Sequence, residues 1–190
     1  MKTKAAVLHG PHQDFEIMEL DLDGPKQGEV LIKFSAAGLC HSDLHLIDGH
    51  LEPRFPIVGG HEGAGIVEEV GVGVTRVQPG DHVVCSFLPS CGRCRYCSTG
   101  RQNLCEMGAT ILQGNLPDGT FRFHHEGADI GGMCMLGVFS ERATVSEFSV
   151  VKIDEWLPLK PASLVGCGVA TGWGTANYSG DVRAGDSVII

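Results

Sequence analysis

Long apolar runs, basic charge and aromatic side chains are all scarce in this 190-residue sequence. The longest stretch without a charged residue, Pro161 to Gly180, is broken by five glycines, two threonines, two serines and an asparagine. It is too polar to cross a bilayer as a helix. Lysine and arginine total 14 against 23 aspartates and glutamates, a formal net charge of −9, so no basic field exists to hold nucleic acid or an anionic membrane surface. At the start, Met1-Lys2-Thr3-Lys4-Ala5-Ala6-Val7-Leu8 breaks at His9-Gly10-Pro11 before a signal-type apolar segment can form, and cytoplasmic residence is the expectation. No internal repeat or low-complexity segment is present.

Glycine, by contrast, is abundant: its 27 copies, without a three-residue period, point to a turn-rich globular chain rather than a fibre. Alternating and β-branched runs predict strands over 4–8, 15–22, 29–37, 64–70, 82–87, 139–145 and 149–153, the pattern of a small, curved β-barrel. Ser42 is the expected N-cap of a two-turn helix that ends at Gly49. Residues 89 to about 137 read as loop, which is too long for an idle connection and suggests a metal clip. From Pro161 the pattern turns helical, and Val188-Ile189-Ile190 after a Gly-Asp turn reads as the first strand of a parallel-sheet domain.

Eight cysteines are even in number, yet four crowd into fifteen residues as Cys91-x₂-Cys94-x₂-Cys97-x₇-Cys105. In a chain without secretory features this reads as metal binding rather than disulfide bonding. Zn²⁺ suits four thiolates at this spacing; an iron–sulfur cluster is the rival, but its bacterial run has three residues before the last cysteine and a proline after it. Four protein ligands leave no opening for substrate, so the role of this set is to fix the loop. Cys40, His61 and Cys167 are a second, dispersed candidate set, which spacing alone does not join. Cys85, Cys134 and the His124-His125 pair are assigned to core packing and to a solvated loop, respectively.

Gly38-Leu39-Cys40-His41-Ser42-Asp43, Gly59-Gly60-His61-Glu62-Gly63, the four-cysteine lobe, Phe139-Ser140-Glu141-Arg142-Ala143-Thr144-Val145 and Gly166-Cys167-Gly168-Val169-Ala170-Thr171-Gly172 together carry a resemblance that runs along essentially the whole chain. The sequence resembles the zinc-dependent medium-chain alcohol dehydrogenases, and most of all the actinobacterial nitrosoaniline-dependent nicotinoprotein type. The resemblance implies a mainly β fold with short helices: a GroES-like catalytic domain over 1–160 with a structural-zinc lobe at 89–106. A connecting helical segment and the first edge of a truncated Rossmann domain would follow over 161–190. No G-x-G-x-x-G turn occurs in the chain, so an N-terminal fragment of a roughly twice-longer enzyme, inactive by itself, is expected.

By the same resemblance, two Zn²⁺ are expected: a catalytic ion on Cys40, His61 and Cys167, and a structural ion on Cys91, Cys94, Cys97 and Cys105. Ser42 and His45 would relay the proton, Asp43 would orient His61, and Glu62 would stand in the outer shell of the metal. His41 and Thr171 would face NAD(H), which is held mostly by residues beyond this chain. Phe87 and Leu51, with Leu88, would line an apolar pocket for a small primary alcohol or aldehyde. Ala109 and Leu51 replace an arginine and an acidic residue found in glutathione-dependent formaldehyde dehydrogenases, which disfavours a glutathione adduct. The full-length protein is expected to be a homo-oligomer without nucleic-acid or membrane partners. The alternatives are a thiol-adduct formaldehyde dehydrogenase and a zinc-stabilised interaction module without catalysis.

Overall fold

The computed structural model describes residues 1–189. In chain order its elements are β1 (Lys2–Leu8), β2 (Glu16–Leu22), β3 (Glu29–Gly38), α1 (His41–Ile47), β4 (Ile57–Val58), β5 (Glu62–Val70) and β6 (His82–Cys85). They continue with β7 (Phe123–His125), β8 (Ala128–Gly132), β9 (Arg142–Ser146), β10 (Val150–Lys152), α2 (Leu159–Ala162) and α3 (Gly168–Gly174). Strands β1, β2, β7, β8 and β4 close into a barrel, and β10, β6, β5, β3 and β9 form a second sheet. Every pairing is antiparallel except β4 with β8. The mainly β class with short helices stands as expected.

Burial explains the strand choices. Val30, Leu31 and Ile32 of β3 are buried in succession because the strand lies centrally, between β5 and β9. Along β1, Ala5 and Val7 face the core shared with Leu20, Leu22, Phe123 and Ile130, while Lys2 and Lys4 face solvent. A second, smaller cluster gathers Leu8, Leu46, Ile57, Met133 and Cys134, with Phe15, Ile47, Leu51, Phe55 and Phe87 packed against it.

The stretch from 89 to 137 is not all loop. It holds four short 3₁₀ turns, at Cys97–Thr99, Gln102–Leu104, Glu106–Thr110 and Met133–Met135, with the β7–β8 hairpin before the last of them. His124 therefore lies on a strand, between Asp129 (3.1 Å) and Asp23 (3.2 Å), and is not a solvated loop residue. A buried ion cluster pins this stretch to the barrel. Arg122 donates through Nε to Glu29 Oε2 (2.8 Å), through Nη2 to Glu29 Oε1 and to Asp118 Oδ2 (2.7 Å), and through Nη1 to the carbonyl of Phe121 (2.8 Å).

Two further expectations shift. The strand expected over 139–145 begins only at Arg142, since the chain bends at Phe139 and Ser140 meets β1 in a single isolated bridge to Ala5. Val188 and Ile189 form no strand and are exposed, because within the described residues no neighbouring strand offers them a ladder. Ile190, the last residue of that expected strand, lies outside the described residues. No helix of the described residues is long and apolar enough to cross a membrane.

Candidate metal centres and active site

The four-cysteine lobe folds around its own sulfurs. The N–H groups of Cys94 and Cys97 donate to Cys91 Sγ and Cys94 Sγ, each at 3.4 Å, and the N–H of Cys91 donates to Cys105 Sγ at 3.5 Å. The Cys91 and Cys97 sulfurs stand 3.9 Å apart and all eight cysteines are free. A tetrahedron built on 2.3 Å Zn–S bonds has edges of about 3.8 Å, so this is a spacing for a shared ion rather than for a disulfide. Backbone N–H groups of Cys97 and Glu106 hold the Cys94 thiol down at about 6, while burial pushes Cys105 up to about 11. The lobe is anchored to the turn before β10 by Ser90 N–H donating to the Phe148 carbonyl, and the segment leading into the lobe by Ser86 N–H donating to that of Ser149, each at 2.8 Å.

The second centre is assembled by strand register. Gly38, the last residue of β3, pairs with Glu62, the first of β5. Cys40 lies two residues beyond one of these strand ends and His61 one residue before the other, so both side chains reach the same edge. A Cβ at Gly38 would collide with the Glu62 carboxylate, which explains glycine there. Cys167 comes in from the far end of the chain: a Cβ at Gly166 would strike the Cys85 carbonyl, and Gly168 N–H donates to Glu62 Oε1 at 3.0 Å. One ligand atom each from Cys40, His61, Glu62 and Cys167 lie within 4.8 Å of one another.

The local helix start differs from the expectation. Cys40, not Ser42, is the N-cap of α1, because Asp43 at the third helical position accepts the Cys40 N–H through Oδ2 at 2.9 Å. Ser42 is inside the first turn, its hydroxyl 3.7 Å from Cys40 Sγ. The other Asp43 oxygen faces His61 Nδ1 at 3.4 Å, and both atoms are buried without another partner. Asp43 thus stands behind His61, leaving Nε2 to face the thiols.

Glu62 stands beside the three expected donors. Its carboxylate shares their cluster, and Oε2 is buried with no hydrogen-bond partner. Buried, unpartnered anionic oxygen beside two thiols is an environment that a divalent cation compensates. Burial opposes ionisation of Cys40, but the N–H and hydroxyl of Ser42 and the His61 imidazole outweigh it and lower its thiol below the ordinary value. Burial likewise opposes protonation of His61, and Asp43 and Cys40 reverse that, so the imidazole is raised. Cys167 is pushed up to about 11, chiefly by burial. The donor set, two sulfurs and one imidazole with a carboxylate at hand, fits zinc.

Phe87 stands edge-on to His61 with ring centroids 6.1 Å apart, and it joins Leu51 in the smaller apolar cluster beside the centre. Leu88 does not join them. The chain bends at Phe87 and Leu88, and Leu88 packs instead against Gly108, just past the lobe, beside Ala109. Met133 and Cys134 enter the cluster around Phe87 and Leu51. Cys134 and Met135 hold left-handed backbone angles, φ 56° and 60°, which nothing in their sequence signals. Cys85 and Cys134 are buried and both thiols are pushed up to about 12 by desolvation, in keeping with packing roles. His45 is half-buried on the face of α1 that carries Ser42, His41 is exposed, and Thr171 Oγ1 lies 3.8 Å from Cys167 Sγ.

A β-barrel domain with one closed thiolate centre and one mixed sulfur–imidazole centre is the class that fold and sites define. The chain belongs to the alcohol dehydrogenase GroES-like domain family, whose model matches residues 26–155. Over all 190 residues it is 72% identical to an NDMA-dependent alcohol dehydrogenase of Amycolatopsis methanolica, covering 51% of that protein. Among solved structures, an alcohol dehydrogenase zinc-binding domain protein from Burkholderia ambifaria matches 98% of the chain and 51% of its own, with TM-score 0.89 and 33% identity. Benzyl alcohol dehydrogenase from Acinetobacter calcoaceticus matches 94% of the chain and 48% of its own, with TM-score 0.84 and 32% identity. The chain spans about half the length of the curated relatives it matches.

Proposed function

We propose that this chain is the catalytic half of a zinc-dependent alcohol dehydrogenase that oxidises small primary alcohols to aldehydes, with NAD as hydride acceptor. The observation that carries the reading is the convergence of Cys40, His61, Glu62 and Cys167 beside the apolar cluster of Phe87 and Leu51. Cys40, His61 and Cys167 are the residues that would hold the catalytic ion, and the four lobe cysteines the structural one. Bound at the first set, zinc supplies a Lewis acid that makes an alcohol oxygen acidic near neutral pH.

The chain's own groups do the rest. Asp43 would keep the proton of His61 on Nδ1, leaving the Nε2 lone pair free to hold the ion. Ser42 Oγ would accept the alcohol proton while giving its own hydroxyl proton, by way of the nicotinamide ribose, toward His45, three residues on and on the same face of α1, which releases a proton to solvent. Phe87 and Leu51 exclude water from the substrate carbon. Thr171 and His41 face the cofactor, which residues of a second domain, beginning within 161–190, would hold. We place the protein in the cytoplasm, where two sets of reduced thiolates persist, and read it as a homo-oligomer without nucleic-acid or membrane partners.

The test is alcohol-dependent reduction of NAD⁺ by the full-length protein, with nitrosoaniline as a second acceptor, using ethanol, benzyl alcohol and formaldehyde with and without added thiol. Turnover of simple alcohols that is lost in Cys40→Ser supports the reading. Turnover only of the thiol adduct, or none, overturns it.

A further inference from the structure

Three histidines crowd the exposed side of α1. The rings of His41 and His45, four residues apart and hence neighbours on the helix, have centroids 4.7 Å apart, and those of His45 and His50 lie 5.5 Å apart. Imidazoles with partners among the described residues are those of His9, His61 and His124. The three rings on α1 and its following turn have none, although each imidazole offers a lone pair. His41 and His50 are exposed and His45 is half-buried.

We propose that His41, His45 and His50 form a third metal site, separate from both cysteine centres, for a divalent cation that favours imidazole: Zn²⁺, Ni²⁺ or Cu²⁺. Two ligands on one tetrahedral ion, with metal–nitrogen bonds of 2.0–2.1 Å and a ring radius of about 1.1 Å, have centroids about 5 Å apart. The two observed separations bracket that value. The His41–His45 pair has the i, i+4 placement with which helical histidines share a metal, and His50 adds a third nitrogen by rotation of an exposed side chain. Among the described residues only the two cysteine-containing sets already lie within mutual ligand distance. The histidine site is therefore assembled on binding, and its expected affinity is micromolar rather than that of a resident ion. An ion there occupies both His45 and the cofactor-facing His41, so it acts as an inhibitor; that consequence alone rests on the proton-relay and cofactor roles proposed above.

The experiment is calorimetric titration of tag-free, zinc-saturated full-length protein with Ni²⁺, beside His50→Gln, His41→Gln and the control His124→Gln. Wild type and the control take up one Ni²⁺ per chain, and both α1-region variants bind at least tenfold more weakly with unchanged melting temperature in metal-free buffer. No uptake by wild type, equal binding by both variants, or loss in the control overturns the site. In a separate arm, Ni²⁺ slows alcohol oxidation by wild type and not by His50→Gln. If Ni²⁺ binds at the histidines but oxidation is unaffected, the inhibitory consequence and the relay and cofactor roles of His45 and His41 fail while the metal site stands.

Discussion

Replacing Asp43 by asparagine separates two jobs that one carboxylate performs. Oδ2 accepts the Cys40 N–H at 2.9 Å and caps α1, whereas Oδ1 faces His61 Nδ1 at 3.4 Å. The asparagine keeps one oxygen, which continues to cap the helix, and turns its NH₂ toward His61. A donor against Nδ1 favours the tautomer with its proton on Nε2, which removes the lone pair aimed at the thiols. Groups of this kind behind a metal-bound histidine are worth 10- to 100-fold in metal affinity, or about 1.4–2.7 kcal/mol. The helix start loses little, since the amide oxygen still accepts the Cys40 N–H, whereas Asp43→Ala removes that acceptor and should cost about 1 kcal/mol more in stability. Competition with a chromophoric chelator measures the second zinc equivalent while the lobe remains loaded. Affinity in Asp43→Asn within twofold of wild type would refute the orientation argument.

Two other perturbations probe the framework. Arg122→Met strands Glu29 in the core without a counter-charge and should destabilise the domain by about 3–5 kcal/mol, a fall in melting temperature on the order of 10 °C. The double variant Glu29→Gln/Arg122→Met should recover most of that loss, and a double variant as unstable as the single one would show that the cost is lost packing. Burial alone would raise the Asp118 carboxyl, but the Thr120 hydroxyl and N–H and the Arg122 guanidinium hold it at about 2, below its ordinary 3.8. A depressed carboxylate contributes stability above pH 4 that disappears as pH falls toward 2. Because Asp118 is well exposed, the contribution should be roughly 1 kcal/mol. Asp118→Asn should flatten this acid limb in urea titrations between pH 5 and 2, and an unchanged limb would contradict the assignment.

The parts of the fold carried by long patterned runs were legible without coordinates. β1, β2, β3 and β5 all fall within a few residues of their expected bounds, because alternation or continuous β-branched burial marks them. β4 has only two residues, and β8 reads Ala-Asp-Ile-Gly-Gly, which lacks both alternation and β-branching, so neither announces itself. The lobe was legible from spacing because its four ligands are local. Cys40, His61 and Cys167 are joined only by the Gly38–Glu62 register and by the close approach of Gly166 to β6, which spacing cannot express. Resemblance to a family supplied that grouping. Glu62 Oε2 pointing unpartnered into the cluster, and Leu88 turning toward the lobe, depend on side-chain direction and needed the structure.

Zinc content per chain, measured by plasma mass spectrometry on wild type, Cys94→Ser and Cys40→Ser purified without added metal, tests the two-centre account most directly. The account predicts about two zinc ions in wild type and about one in each variant. Two ions retained in Cys40→Ser would contradict the assignment of Cys40, His61 and Cys167 as a metal site, whatever the fate of the lobe.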